Sequence, residues 1–110
     1  MLKVYTSQYK YRGKNRLDIT VKTGKKIFAP TWDMVMGIKH GTMSYEEYTR
    51  KYYQLMRKSY KENKNEWNEL LNKDEVVLVC FCKPNDFCHR YLLAYILAKL
   101  GAVCRGEKLI

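Results

Sequence analysis

The feature that most constrains the fold is a continuous apolar run over residues 76–80, followed shortly by Cys88-His89-Arg90. An apolar run without alternating polar residues predicts a strand covered on both faces, as in the middle of a parallel sheet. Leucines then recur at helical spacing up to Gly101, and residues 102–104 predict a last short strand. Because parallel strands need a crossover connection, usually a helix, these segments predict a right-handed βαβ unit.

The rest of the chain predicts further strands and helices. Ser44 and Glu47 form a capping box, which predicts the start of a long helix, and Gly41 ends a shorter helix before it. The predicted elements are strands at residues 2–5 and 16–21 and helices at 30–39, from 45 onward and at 66–72. The expected architecture is a single domain over residues 1–110, of the α/β class, with a small and mostly parallel sheet and helices on both faces.

The long helix carries an aromatic stripe. Its residues recur at spacings of three and four, which predicts that they pack into the core rather than form a base-stacking platform. Tyr53 and Tyr60 lie off this stripe, so they are the better candidates for contact with a partner. The stripe consists of Tyr45, Tyr48, Tyr52, Leu55, Met56 and Ser59.

The chain is strongly basic, with a formal net charge of +10. Such a charge favours anionic partners through the summed field of the protein, whether a small phosphorylated ligand or a nucleic acid. The basic residues are spread along the chain in small clusters, which is typical of a solvated surface. No helix-turn-helix, zinc-finger or RNA-recognition signature accompanies them. A nucleic-acid partner therefore stays open as an alternative.

The cysteine pattern indicates a compartment. Four cysteines without a signal peptide argue for free thiols in a reducing environment, so we expect a cytoplasmic protein. The longest apolar stretch, residues 91–100, is too short to span a bilayer, so no membrane association is expected. The sequence leaves open whether the protein is a monomer or a homodimer.

The Cys-His-Arg turn is the predicted site, because ligands in open α/β sheets bind at the carboxyl ends of the strands. If Asp86 caps the next helix, Cys88, His89 and Arg90 occupy its first turn, where unpaired backbone amides attract anions. Arg90 and Lys83 would then bind the anion. The same positive field favours the thiolate of Cys88, and His89 is suited to acid–base chemistry.

Other polar residues are expected near this turn. Thr6 and Ser7 follow the first predicted strand in a polar loop, and with Cys82 they are candidates for lining the same pocket. Cys80 and Cys104 lie among apolar neighbours and are assigned to core packing.

Metal binding is the competing interpretation of the cysteines. The candidate ligands are Cys82, Cys88 and His89. Adjacent residues of a helix diverge by about 100°, so Cys88 and His89 are not expected to converge with the strand cysteines. No metal or other cofactor is therefore expected, although zinc is kept as an alternative.

Leu78-x-Cys80-x-Cys82 followed by Cys88-His89-Arg90 and an apolar helix resembles the family known as domain of unknown function 488. The likeness is to short members from phages or low-GC bacteria. It implies a Rossmann-like, three-layer α/β fold with the Cys-His-Arg turn in a pocket, and it implies no established reaction. Some relatives carry an acidic residue at the position of Cys82.

These observations predict a small cytoplasmic protein that binds a phosphate-bearing, nucleotide-like small molecule at the Cys-His-Arg turn. Cys88 and His89 would carry out hydrolysis or group transfer if the protein is an enzyme. The alternatives are a non-catalytic protein that sequesters a nucleotide signal or binds nucleic acid, and a zinc or redox-thiol module.

Overall fold

The structure is a computed structural model that describes residues 1–81 and 87–108. The described residues form four strands, four α-helices and one 3-10 turn at Lys26–Phe28. The strands are β1 (Lys3–Gln8), β2 (Arg16–Asp18), β3 (Glu75–Cys80) and β4 (Val103–Glu107). The helices are α1 (Trp32–His40), α2 (Tyr45–Glu62), α3 (Lys64–Leu71) and α4 (His89–Lys99).

The four described strands form one sheet in the order β2-β3-β1-β4, and every pair is parallel. Residues 76–80 of β3 are all buried, as the apolar run predicts for a strand covered on both faces. The predicted α/β, Rossmann-like class with a parallel sheet is confirmed. β1 and β3 are the two inner strands and pair with each other in parallel. Their carboxyl ends therefore lie side by side, with Gln8 opposite Cys80.

Local capping explains where the helices begin and end. The hydroxyl of Thr31 accepts a hydrogen bond from the Met34 amide at 3.3 Å, and Gly41 ends α1 with a φ of 73°. This left-handed conformation favours glycine. Ser44 accepts from the Glu47 amide at 3.1 Å at the start of α2. The start of α2 predicted from the Ser44 cap and the end of α1 predicted at Gly41 are confirmed, whereas α1 begins at Trp32 rather than at residue 30.

The buried members of the aromatic stripe of α2 lie in the hydrophobic core. Tyr48 and Tyr52 are buried, and the Tyr52 hydroxyl donates to the carbonyl of Phe28 at 2.8 Å. Ser59 accepts from the indole N–H of Trp67 at 3.0 Å, which ties α2 to α3. Core packing of the stripe is thus confirmed for its buried members, whereas Tyr45 at its amino end is 59% exposed.

Several predicted boundaries were wrong. Thr6 and Ser7 belong to β1 rather than to a loop, because the pairing of β1 with β3 continues to Gln8. β2 ends at Asp18, whose carboxylate accepts from the Thr20 amide at 2.9 Å and turns the chain. Cys104 lies exposed on β4, so its assignment to the core was wrong. No described helix has the length and apolar character that a membrane crossing requires.

Candidate functional site

The carboxyl ends of the strands and the start of α4 meet at one edge of the sheet. Cys80 is the last residue of β3 and Glu107 the last of β4, while Thr6 lies near the end of β1. Cys88 directly precedes α4, and His89 and Arg90 are its first two residues. The edge where ligands bind in open α/β proteins is therefore occupied by thiol, imidazole and guanidinium groups.

Cys80 and Cys88 face each other, and their sulfur atoms are in contact. Both side chains are buried. The Cα atoms lie 7.8 Å apart, beyond the roughly 7 Å at which two cysteines can be bridged without backbone movement. Because a bridge at this Cα separation would require the backbone to move, the two residues form a pair of facing thiols in the reduced protein.

His89 is held in one tautomer. Its Nε2 lies 2.6 Å from the carbonyl oxygen of Ile19, which can only accept, so Nε2 carries the proton. Nδ1 is then left as an acceptor, 3.8 Å from the sulfur of Cys88. Burial lowers the pKa of His89 to about 4 and outweighs the hydrogen bond to the Ile19 carbonyl, which raises the pKa, while the nearby charge of Arg90 lowers it by a smaller amount. The imidazole is neutral at pH 7.

Arg90 is fully buried and points toward the thiols. Its Nη1 donates to the sulfur of Cys80 at 3.0 Å, while Nη2 donates to Glu107 at 3.1 Å and to the Tyr91 hydroxyl at 2.9 Å. Glu107 in turn accepts from the hydroxyl of Thr6. The guanidinium therefore places its positive charge against the sulfur of Cys80, and the carboxylate of Glu107 compensates this buried charge.

A cavity of about 130 Å³ opens beside these groups. Cys80, Cys88 and His89 form its polar wall together with Thr20, and the remaining wall is apolar and partly aromatic. Phe87 is fixed there by stacking on Tyr45, with ring centroids 4.2 Å apart. The apolar wall consists of Val21, Val35, Ile38, Tyr48, Phe81 and Phe87. We call this cavity the thiol pocket.

The structure brings together Cys88, His89 and Arg90, and it connects Thr6 to them through Glu107. Ser7 is buried beside them but turns away, since its hydroxyl donates to the carbonyl of Lys108 at 2.6 Å. The two remaining predicted ligand residues and the predicted cap lie outside the described residues. They are Cys82, Lys83 and Asp86.

One prediction about the turn was wrong. Cys88 does not lie in the first helical turn but precedes it, with an extended backbone at φ −157° and ψ 146°. Its side chain and that of His89 therefore converge instead of diverging by one helical step. The two side chains can therefore face a common point, contrary to the prediction.

Sequence reasoning missed two members of the site. Cys80 was assigned to packing, and it is buried as expected, but its sulfur accepts from Arg90. Its place as the last residue of a central strand was the signal that could have identified it. Glu107 stands in no motif, and only the parallel pairing of β4 with β1 brings it to the site.

The same residues could hold a metal ion. The sulfur atoms of Cys80 and Cys88 and a ring nitrogen of His89 all lie within 4.8 Å of one another. Two thiolates and an imidazole suit zinc, and three protein ligands leave a fourth position open. Cys88 and His89 belong to the predicted ligand set and Cys80 does not, while the third predicted ligand, Cys82, lies outside the described residues.

Fold and site together define a small Rossmann-like α/β protein with a Cys-His-Arg site at the carboxyl edge of its sheet. The family model DUF488-N3a, described as the active DUF488-N3 subclade, matches residues 1–101. The chain belongs to the DUF488 family, as its Cys-His-Arg motif predicts. Neither the curated proteins nor the solved structures contain a match. The matched segment ends before β4, so Glu107 lies outside it.

Proposed function

We propose that this protein is an enzyme that binds a small phosphate-bearing, nucleotide-like molecule at the thiol pocket and acts on it through the thiol of Cys88. The observation that carries the proposal is the meeting of Cys88 with the acceptor nitrogen of His89 on a pocket wall at the ligand-binding edge of the sheet. The family model describes an active subclade, which favours chemistry over binding alone.

The walls of the thiol pocket support a ligand with a flat apolar part. Tyr48 and Phe87 lie edge to face with centroids 5.1 Å apart, and Phe87 lines the pocket beside the thiols. An aromatic wall of this kind suits a nucleobase. The net charge of +10 and the positive end of α4 support a phosphate group on the same ligand.

The proposed chemistry is nucleophilic substitution. The sulfur of Cys88 forms a bond to an electrophilic atom of the ligand while the bond from that atom to its leaving group breaks. The thiol proton passes to Nδ1 of His89 and from there to the leaving group. Water or a second acceptor then displaces the sulfur, returning a proton to Cys88 and completing hydrolysis or transfer. Arg90, held by Glu107, stabilises negative charge on the neighbouring sulfur of Cys80.

The test is turnover of a panel of nucleotides and nucleosides, followed by chromatography and by mass spectrometry of the intact protein. Excess chelator is present throughout. Cys88→Ser is compared with Cys104→Ser, which removes an exposed thiol outside the site. We expect the wild type and Cys104→Ser to convert one class of substrate and Cys88→Ser to lose at least a hundred-fold in rate. Full turnover by Cys88→Ser overturns the proposal. A ligand that binds but is recovered intact makes the protein a sequestering one instead.

A second candidate is a zinc centre, favoured by the three mutually close ligand atoms of Cys80, Cys88 and His89. The hydrogen bond from Nε2 of His89 to the Ile19 carbonyl is the arrangement that orients metal-binding histidines. Protein purified without chelator would then carry one zinc per chain, and Cys80→Ser would lose it while Cys104→Ser would not. Metal-free wild-type protein that stays metal-free after zinc addition and desalting excludes this candidate.

A further inference from the structure

A groove crosses the surface formed by α2, α3 and α4. Its deeper part, of about 300 Å³, is lined mainly by aromatic and aliphatic side chains, with Arg57 and Lys99 among them. A more open cleft continues along α2 and shares Tyr53 and Arg57 with the deeper part. We call the combined feature the aromatic–basic groove. Its key residues are Tyr45, Arg50, Tyr53, Arg57, Tyr95 and Lys99.

The tyrosines present ring surface to solvent. Tyr95 is 53% exposed and Tyr45 is 59% exposed. Tyr53, one of the two tyrosines that the sequence singled out for partner contact, is half-buried between them in the lining. The ammonium group of Lys99 lies 5.2 Å from the ring centroid of Tyr95. An exposed ring with a cation beside it is suited to a ligand that is both aromatic and anionic.

The groove is positively charged. Its lining holds Arg50, Arg57 and Lys99, and Glu46 at one end is the only carboxylate among its described lining residues. Within residues 1–81 and 87–108, no carboxylate lies at salt-bridge distance from these three cations. Their charges are therefore available to a partner.

We propose that the aromatic–basic groove binds single-stranded nucleic acid, with bases stacked on Tyr53 and Tyr95 and phosphates held by Arg57 and Lys99. Alternating rings and cations along a groove is how proteins bind single strands without sequence preference. A duplex fits less well, because its bases are already stacked on one another. The groove shares no lining residue with the thiol pocket, so the two sites are tested separately.

The experiment measures binding of a fluorescein-labelled twelve-nucleotide oligothymidine by polarisation, at several salt concentrations. Arg57→Gln/Lys99→Gln is compared with Lys14→Gln/Lys22→Gln, which removes the same charge from exposed lysines outside the groove. Tyr95→Ala probes stacking at an exposed position. Circular dichroism verifies that each variant is folded.

We expect the groove double variant to bind at least ten-fold more weakly than its charge-matched control and to show a shallower salt dependence. Tyr95→Ala should lose about ten-fold. Cys88→Ser should bind as the wild type does, so that failure of the proposed enzyme activity leaves this result intact. Equal affinity of the two double variants overturns the proposal, as does equal binding of a polyglutamate peptide, which would make the groove a protein-docking surface.

Discussion

His89 makes the stability of the protein dependent on pH. Its pKa is lowered by burial from 6.5 to about 4, so the unfolded chain binds a proton that the folded chain excludes. The contribution of the neutral imidazole to the free energy of unfolding is therefore fully present above pH 6.5 and decreases as the pH falls toward 4. Between pH 6.5 and pH 5 the contribution of His89 should fall by about 2 kcal/mol, measured by urea unfolding in the presence of chelator.

The control for this effect is His89→Gln, which keeps a donor for the Ile19 carbonyl but does not titrate. Its free energy of unfolding should change less between the two pH values than that of the wild type, by about the same 2 kcal/mol. Parallel pH profiles of the two proteins would show that the imidazole does not exclude its proton when folded.

The ion pair between Arg90 and Glu107 predicts a second effect. Glu107→Gln leaves the fully buried guanidinium without its carboxylate, and we expect a loss of about 3 kcal/mol in urea unfolding. Adding Arg90→Met to this variant should restore part of the loss, because no buried charge remains. Glu62→Gln, on an exposed carboxylate, is the control and should change stability little. A Glu107→Gln protein as stable as this control contradicts the assigned role.

The sequence predicts the Cys-His-Arg members of the site because they form a recognisable motif at the end of an apolar run. It does not predict the part played by Cys80, since a thiol among valines is indistinguishable from a packed one. Glu107 could not be found either, because its role depends on a strand pairing that brings together residues far apart in the chain.

At Gly37 in α1, substitution by alanine should change stability in the direction opposite to the one expected from helix propensity. A glycine-to-alanine change inside a helix ordinarily stabilises it by about 1 kcal/mol. Here a methyl group would lie 2.8 Å from the Cβ of Met43, which cannot move without its backbone. We expect Gly37→Ala to lower stability by about 1 to 3 kcal/mol, measured as a fall in Tm. A rise in Tm would mean that the segment carrying Met43 moves aside at little cost.

The helices were predicted more accurately than the strand ends. Thr31, Gly41 and Ser44 are local signals, so α1 and α2 could be placed from nearby residues alone. The carboxyl end of β1 could not, because Thr6 and Ser7 are polar and resemble a loop. Their hydroxyl groups form hydrogen bonds with Glu107 and with the backbone of Lys108, and these partners lie at the other end of the chain.

Removal of β4 should destabilise the packing of the whole domain. A chain ending at Gly101 would expose the β1 edge with which β4 pairs and would leave Arg90 without the carboxylate of Glu107. We expect this truncated chain to lose cooperative unfolding and the near-ultraviolet circular dichroism of its packed aromatic residues. The full-length Glu107→Gln variant keeps the strand and should still unfold cooperatively. A truncated chain that unfolds as sharply as this variant would show that β4 is dispensable.

The parallel α/β architecture was predictable because the run at residues 76–80 requires cover on both faces and a helix follows it. The strand order was not predicted. β1 lies between β3 and β4, so the order depends on pairing between strands that are far apart in the sequence. The part of the chain that the family model matches stops at residue 101, although the buried ion pair needs residue 107.

The link from Thr6 through Glu107 to Arg90 and Cys80 has a consequence for protein synthesis. A ribosome makes the two thiols of the pocket well before it makes Glu107. Until that residue has emerged and β4 has docked on β1, the guanidinium cannot settle beside Cys80 with its charge compensated. The site therefore assembles only after Glu107 has been made, and a chain terminated between residues 88 and 107 carries both cysteines without the compensated guanidinium beside them.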